Sequence, residues 1–172
     1  MGDRSNAWQF RRATVSDCEG LYRLYEKMGK KEAGYFERCI EEQEAGRREL
    51  LIVGDRGGDI GYGMLNREPQ YALYKRLGMP EIQDLNVIPE ARRQGTGTAL
   101  IQALEEVARG LGYKQVGISV GLHADYGAAQ RLYVKLGYIP DGLGVTYDRM
   151  TVAAGEIRPV DDNLCLMMVR DL

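Results

Sequence analysis

Histidine occurs once in the 172 residues, at His123, and cysteine three times, at Cys18, Cys39 and Cys165. One imidazole without clustered thiols does not make a zinc site, so no metal is expected. Three scattered cysteines build no disulfide framework, which points to a reducing, cytoplasmic setting. No apolar run reaches membrane length, and residues 1–10 carry no hydrophobic leader. Met1 and Gly2 fail the myristoylation pattern because Asn6 stands where Ser or Thr is required. Neither sign of charge dominates: 23 Lys and Arg against 25 Asp and Glu leave −2. That balance excludes bulk electrostatic binding to nucleic acid, and no membrane partner is expected.

Apolar residues at 44% and charged residues at 28% describe an ordinary globular chain. Its length fits a single domain, 1–172, with a sizeable core. Organisation centres on residues 81–97, EIQDLNVIPEARRQGTG. Residues 81–88 are rich in Ile, Leu and Val and closed by Pro89, which predicts a strand. From Thr98 onward, Leu100, Ile101, Leu104, Val107, Ala108 and Leu111 recur at three- and four-residue spacing, one face of a helix. Between them lie Arg92, Arg93, Gln94, Gly95, Thr96 and Gly97. Glycines there let a ligand approach the backbone, and the helix start offers unpaired N–H groups and a positive dipole end. Two arginines add charge, so the loop suits a phosphate. The Rossmann fingerprint fails for want of a third glycine, and the P-loop lysine is missing. By spacing alone, anion site and plain tight turn stay equally open.

In the strand, regular pleating puts Glu81, Gln83, Leu85 and Val87 on one face and Ile82, Asp84, Asn86 and Ile88 on the other. Both faces mix apolar with polar groups. Such groups in a central strand are costly unless they have partners or work to do. A bulge near Asn86 would account for the broken alternation.

Elsewhere, a strand at 8–12 leads to a helix capped by Thr14 and Asp17, with Cys18, Leu21, Tyr22, Tyr25 and Met28 on one stripe. A second helix is expected over 32–44, and a hairpin joins 50–53 to 60–65 around Gly57 and Gly58. Residues 67–80 are the least regular. They read as a surface loop with a short helix or, slightly preferred, as a substrate wall bearing Tyr71, Tyr74, Lys75 and Arg76. A buried strand at 115–122 completes a parallel crossover, a helix covers 128–136 up to Gly137, and strands at 138–147 and 164–170 flank the polar stretch 153–163.

Residues 117–121 spell G-x-S-x-G, the hydrolase elbow. That chemistry needs an acid and then a histidine downstream, yet no acid separates Ser119 from His123. Ser119 reads as strand filler and His123 as an exposed turn residue. Tyr133 falls on a stripe with Ala129, Leu132 and Leu136, which by periodicity is core.

Leu85-x-Val87-x-Pro89-x-x-Arg92-x-x-Gly95-x-Gly97 resembles the acetyl-CoA motif of the GNAT family of N-acetyltransferases. A second block, Ala129-x-x-Leu132-Tyr133-x-Lys135-Leu136-Gly137-Tyr138, is similar to that family's C-terminal motif. The resemblance implies an α/β mixed sheet of about seven strands, mostly antiparallel, with one splayed parallel pair and about four helices in three layers. It implies pantetheine pairing with backbone groups of Leu85 and Val87, around Asn86, and pyrophosphate on the N–H groups from Gln94 to Thr98. Amine attack on the thioester would be direct, with an N–H near Val87 polarising its carbonyl. Glu81, fourteen residues before Gly95, takes the place of the family's base, with Gln83 helping to hold water or amine. Tyr133 takes the place of its acid. Tyr126 stands where the family often has a cofactor-contacting Asn, which makes Tyr126 a candidate contact. The function expected is N-acetylation of a small-molecule primary amine, with a homodimer compatible with the chain. A protein N-terminal or lysine acetyltransferase and a non-catalytic acyl-CoA-binding module are the alternatives.

Overall fold

The computed structural model describes residues 8–172, so the pattern at residues 1–6 lies outside the described residues. The described residues divide into two compact units: those up to 65 with 84–106, and 66–83 with 107–172. Strand β4 (Glu81–Val87) and helix α4 (Thr96–Gly110) contribute residues to both.

In the first unit, the Asp17 carboxylate accepts hydrogen bonds from the Thr14 N–H at 2.8 Å and its hydroxyl at 2.9 Å. That cap opens a 3₁₀ turn and then α1 (Cys18–Glu26), which buries Cys18, Leu21 and Leu24. Helix α2 (Tyr35–Glu44) buries Phe36, Cys39, Ile40 and Gln43. Strand β1 (Gln9–Arg12) pairs antiparallel with β2 (Arg48–Asp55), from Gln9↔Gly54 to Arg12↔Leu51. Strand β3 (Gly58–Asn66) lies between β2 and β4. Close approach fixes its glycines: a Cβ on Gly63 would stand 2.8 Å from Leu85 and 3.1 Å from Leu104. Leu100, Ile101, Leu104 and Ala108 of α4 are fully buried as the periodicity predicts, whereas Leu111, beyond the helix, is exposed.

In the second unit, β5 (Gln115–Gly121) pairs parallel with β4 at Glu81↔Gly117 and Ile82↔Ile118. On its other side β5 pairs antiparallel with β8 (Leu164–Asp171) along its whole length. Helix α5 (Gly127–Lys135) ends in the predicted way: Gly137 has φ +88° and the Tyr138 N–H donates to Tyr133 O at 3.0 Å. Strand β6 (Ile139–Tyr147) pairs with β8 at both ends, and the register breaks between Pro140 and Val145, where Gly142 and Gly144 have φ of +86° and +81°. The hydrogen-bonded order is β1-β2-β3-β4-β5-β8-β6-β7, a mixed sheet with one parallel pair.

The strand beyond the expected seven is β7 (Met150–Thr151), two residues long and too short to show a period. The additional helix is α3 (Ala72–Leu77), inside the segment read as a substrate wall. That reading is corrected for its tyrosines. Tyr71 and Tyr74 are buried with Met79 and Met167, and their hydroxyls are committed to Asp141 at 2.6 Å and to the Met168 carbonyl at 2.6 Å. Of the four grouped residues, Lys75 and the buried Tyr74 line a cavity of about 330 Å³. Among the described residues no helix is long and apolar enough to cross a membrane.

Gly117 lies under the Tyr74 ring, where a Cβ would come within 2.3 Å of a ring carbon. Tyr74 cannot retreat, being fully buried and hydrogen-bonded. Gly117→Ala is therefore expected to destabilise the fold by about 3 kcal/mol, seen as a lower urea midpoint at unchanged slope.

Candidate active site

Glu81 and Gln83 share a face of β4, as expected: Gln83 Nε2 donates to Glu81 Oε2 at 2.9 Å. The Glu81 side chain has 0% exposure. Its other oxygen pairs with Arg149, which occupies the two-residue turn between β6 and β7. Asp148 and Arg149 there both have positive φ, +50° and +66°, the geometry of a tight hairpin normally given to Asn-Gly. Each Glu81 oxygen thus accepts one hydrogen bond and keeps a further lone pair. With the side chain fully buried, a proton reaches the carboxylate only if Arg149 moves or a water carries it.

The irregularity expected near Asn86 lies at Asp84, whose φ is +49°. A single left-handed residue re-aims the strand, and the Asn86 amide then folds back to donate to Asp84 O at 3.0 Å and Oδ1 at 2.7 Å. The Asp84 carboxylate also receives the Tyr35 and Tyr62 hydroxyls at 2.7 and 3.2 Å and the Lys31 ammonium at 3.0 Å. Burial first, then the charge of Asp84, pushes both tyrosine hydroxyls far above their ordinary value, so they remain donors.

The loop after β4 is exposed at Arg92, Arg93, Gln94 and Gly95. Arg93 has φ +60° and Gly95 φ +90°. Arg92 Nε donates to the Val87 carbonyl at 2.9 Å and Gln94 Nε2 to the Glu90 carbonyl at 2.8 Å, so these side chains brace the loop. The buried Thr96 hydroxyl holds Ala91 O at 3.0 Å, and the Ala99 N–H reaches back to Gly95 O. The N–H groups of Thr96, Gly97 and Thr98 open a fifteen-residue helix and have no acceptor within it. The Trp8 ring covers Gly95, where a Cβ would meet it at 3.1 Å. Backbone donors, a helix dipole and Arg93 suit a pyrophosphate.

Tyr133 is 8% exposed on α5, tilted against Tyr138 at a centroid distance of 6.1 Å. Burial, with a smaller contribution from Tyr126, pushes its hydroxyl up to about 12. The Tyr126 hydroxyl donates to Asp162 at 3.0 Å, and its ring covers Gly121, where a Cβ would clash at 2.4 Å. His123 Nε2 joins the same Asp162 oxygen at 2.9 Å, so His123 is partnered and not a free turn residue. Ser119 sits in β5 opposite Met167, a strand position.

A sequence profile of the Acetyltransferase (GNAT) family matches residues 15–138, well over half of the chain. The chain belongs to the GNAT acetyltransferase family. This GNAT protein is similar to the aminoalkylphosphonate N-acetyltransferase of Salmonella typhimurium, 29% identical over 136 residues that span 76% of this chain and 84% of that protein. Its fold is similar to that of the Salmonella typhimurium yncA protein, solved with its cofactor acetyl-CoA, at a TM-score of 0.69, 18% identity and coverage of 96% and 94%. It is also similar to the ribosomal-protein-S18-alanine N-acetyltransferase of Escherichia coli, at a TM-score of 0.68, 16% identity and coverage of 95% and 93%. The GNAT fold expected from the motifs is thus the fold observed, and the protein is an acyltransferase by family.

Sequence reasoning missed Arg149 and Lys31. Arg149 lies 68 residues from Glu81 in a turn without glycine, and no local signal marks it. Replacing Arg149 with Leu would leave a fully buried carboxylate without its cation. Arg149→Leu is expected to lower stability by about 3 kcal/mol or more, read by chemical denaturation at neutral pH.

Proposed function

We propose that the protein is an acetyl-CoA-dependent N-acetyltransferase that transfers the acetyl group directly to the primary amine of a small molecule. The observation that carries this reading is the loop at residues 92–95, with two positive-φ positions running into α4, in a chain of this family. The similarity to an aminoalkylphosphonate N-acetyltransferase over 76% of the chain supports a small amine as acceptor. When bound, acetyl-CoA supplies the acetyl group activated as a thioester.

The backbone N–H groups from Gln94 to Thr98 hold the pyrophosphate, with Arg93 adding charge and Arg92 keeping the loop in shape. Leu85, Asn86 and Val87 offer backbone groups to the pantetheine arm, as a strand edge does to an added strand. The Val87 N–H would polarise the thioester carbonyl. Glu81 receives the proton of the attacking ammonium through a water held with Gln83, because its side chain is fully buried. Tyr133 keeps its proton at neutral pH and gives it from Oη to the leaving sulfur.

Coenzyme A is expected to raise the melting temperature of the wild type. Gly97→Asp should abolish that shift and leave the unliganded melting temperature intact. An acid in the first turn suits the helix dipole but repels a phosphate. A coenzyme A shift that survives the substitution would overturn the cradle.

Tyr133→Phe and Glu81→Gln are each expected to lower kcat by about 10²–10⁴-fold. The pH profile bears on Tyr133. With Tyr133 pushed up to about 12, its acid form persists through the alkaline range, so wild-type activity should not fall on its account below roughly pH 10. An alkaline fall near roughly pH 8 that Tyr133→Phe abolishes would contradict the assignment.

A further inference from the structure

Asp84 holds a strained φ of +49° in the middle of β4, and its carboxylate accepts hydrogen bonds from four side chains. Asn86 Nδ2 and Lys31 Nζ reach Oδ1 at 2.7 and 3.0 Å, and the Tyr35 and Tyr62 hydroxyls reach Oδ2 at 2.7 and 3.2 Å. The Lys31 ammonium also lies over two aromatic faces, 4.6 Å from the Tyr25 centroid and 4.4 Å from that of Tyr35. Two tyrosine rings closed by one carboxylate form the kind of cage that binds an alkylammonium. Here the ammonium in the cage belongs to the protein itself.

The cage does not depend on Lys31 for its shape. Three neutral donors remain on Asp84 when the lysine is taken away. Tyr35 begins α2, and Tyr62 is fully buried in β3 with its ring edge-on to Phe36 at 5.3 Å. Lys31, by contrast, comes from residues 27–34, which form neither helix nor strand and contain Gly29 and Gly34. A rigid anionic seat is thus filled by a cation on a replaceable arm. Backbone strain at Asp84 has the same implication, since such strain persists where the surroundings hold a residue for a purpose.

We propose that Lys31 is a built-in occupant of a cation seat, and that the ammonium of a primary alkylamine displaces it to bind Asp84 between Tyr25 and Tyr35. That the displacing amine is the acetyl acceptor rests on the acetyltransferase reading; the seat itself does not. An incoming amine competes with an ion pair already formed within the chain, so removing the lysine strengthens binding. A lysine that served as a contact to the ligand would act in the opposite sense.

The probe is n-butylammonium, titrated into the full chain without acetyl-CoA and followed by calorimetry. Lys31→Ala should bind it at least tenfold more tightly than wild type, and Lys31→Gln should behave likewise if the alanine variant does not fold. Asp84→Asn in the Lys31→Ala background should abolish binding. Equal or weaker binding by both lysine variants, or binding that survives Asp84→Asn, would overturn the seat. Acetylation of n-butylamine, measured separately with acetyl-CoA, tests the functional reading. Tight binding without turnover would count against that reading and leave the seat standing, whereas turnover without the predicted tightening would do the reverse.

Discussion

Burying an ionised carboxylate costs several kcal/mol unless a cation and hydrogen bonds meet it, and Glu81 is such a carboxylate. Its side chain has no exposure, and Arg149 supplies the cation. The turn that presents Arg149 uses two non-glycine residues in left-handed conformations, itself a cost. The β6–β7 hairpin, the alignment of Gln83 and the start of β4 are tied to this one pair. Removing either partner alone is worse than never having had the pair.

Three residues further along β4 the same problem recurs with a different solution. Asp84 keeps about as much exposure as Lys31, 17% and 18%, and is held mostly by neutral donors. The Glu81 carboxylate is sealed while its partner Arg149 is 29% exposed, whereas both members of the Asp84 pair are partly exposed. One strand therefore carries two charge pairs that differ in how water reaches the carboxylate.

The local patterns were legible in the sequence. The periodic face of α4, the Thr14–Asp17 cap, the terminating glycine at Gly137 and the parallel pairing of β4 with β5 follow from spacing and turn chemistry, and the structure has each. What escaped depends on residues far apart in the chain. Lys31 meets Asp84 across 53 positions and Arg149 meets Glu81 across 68, and neither carries a local mark. Tyr71 and Tyr74 looked like ligand-gripping residues because their segment is irregular, yet a six-residue helix turns both inward. The break in β4 expected near Asn86 falls at the left-handed Asp84, since pleat alternation shows that a break exists without fixing its position. For the loop at residues 92–98, spacing alone allowed two readings, and the cofactor role proposed for it rests on the family match.

Beyond its junction with β8, β6 has an outer side covered by β7 only at Thr146 and Tyr147. A straight run of unpaired peptide groups in that position would template further strands from other molecules. The break between Pro140 and Val145, with two glycines in left-handed conformations, denies such a template a continuous register. Pro140 also withholds a donor. The same irregularity that weakens the strand's grip on β8 keeps the sheet from growing past its own end, a safeguard against fibril-like assembly written into the backbone.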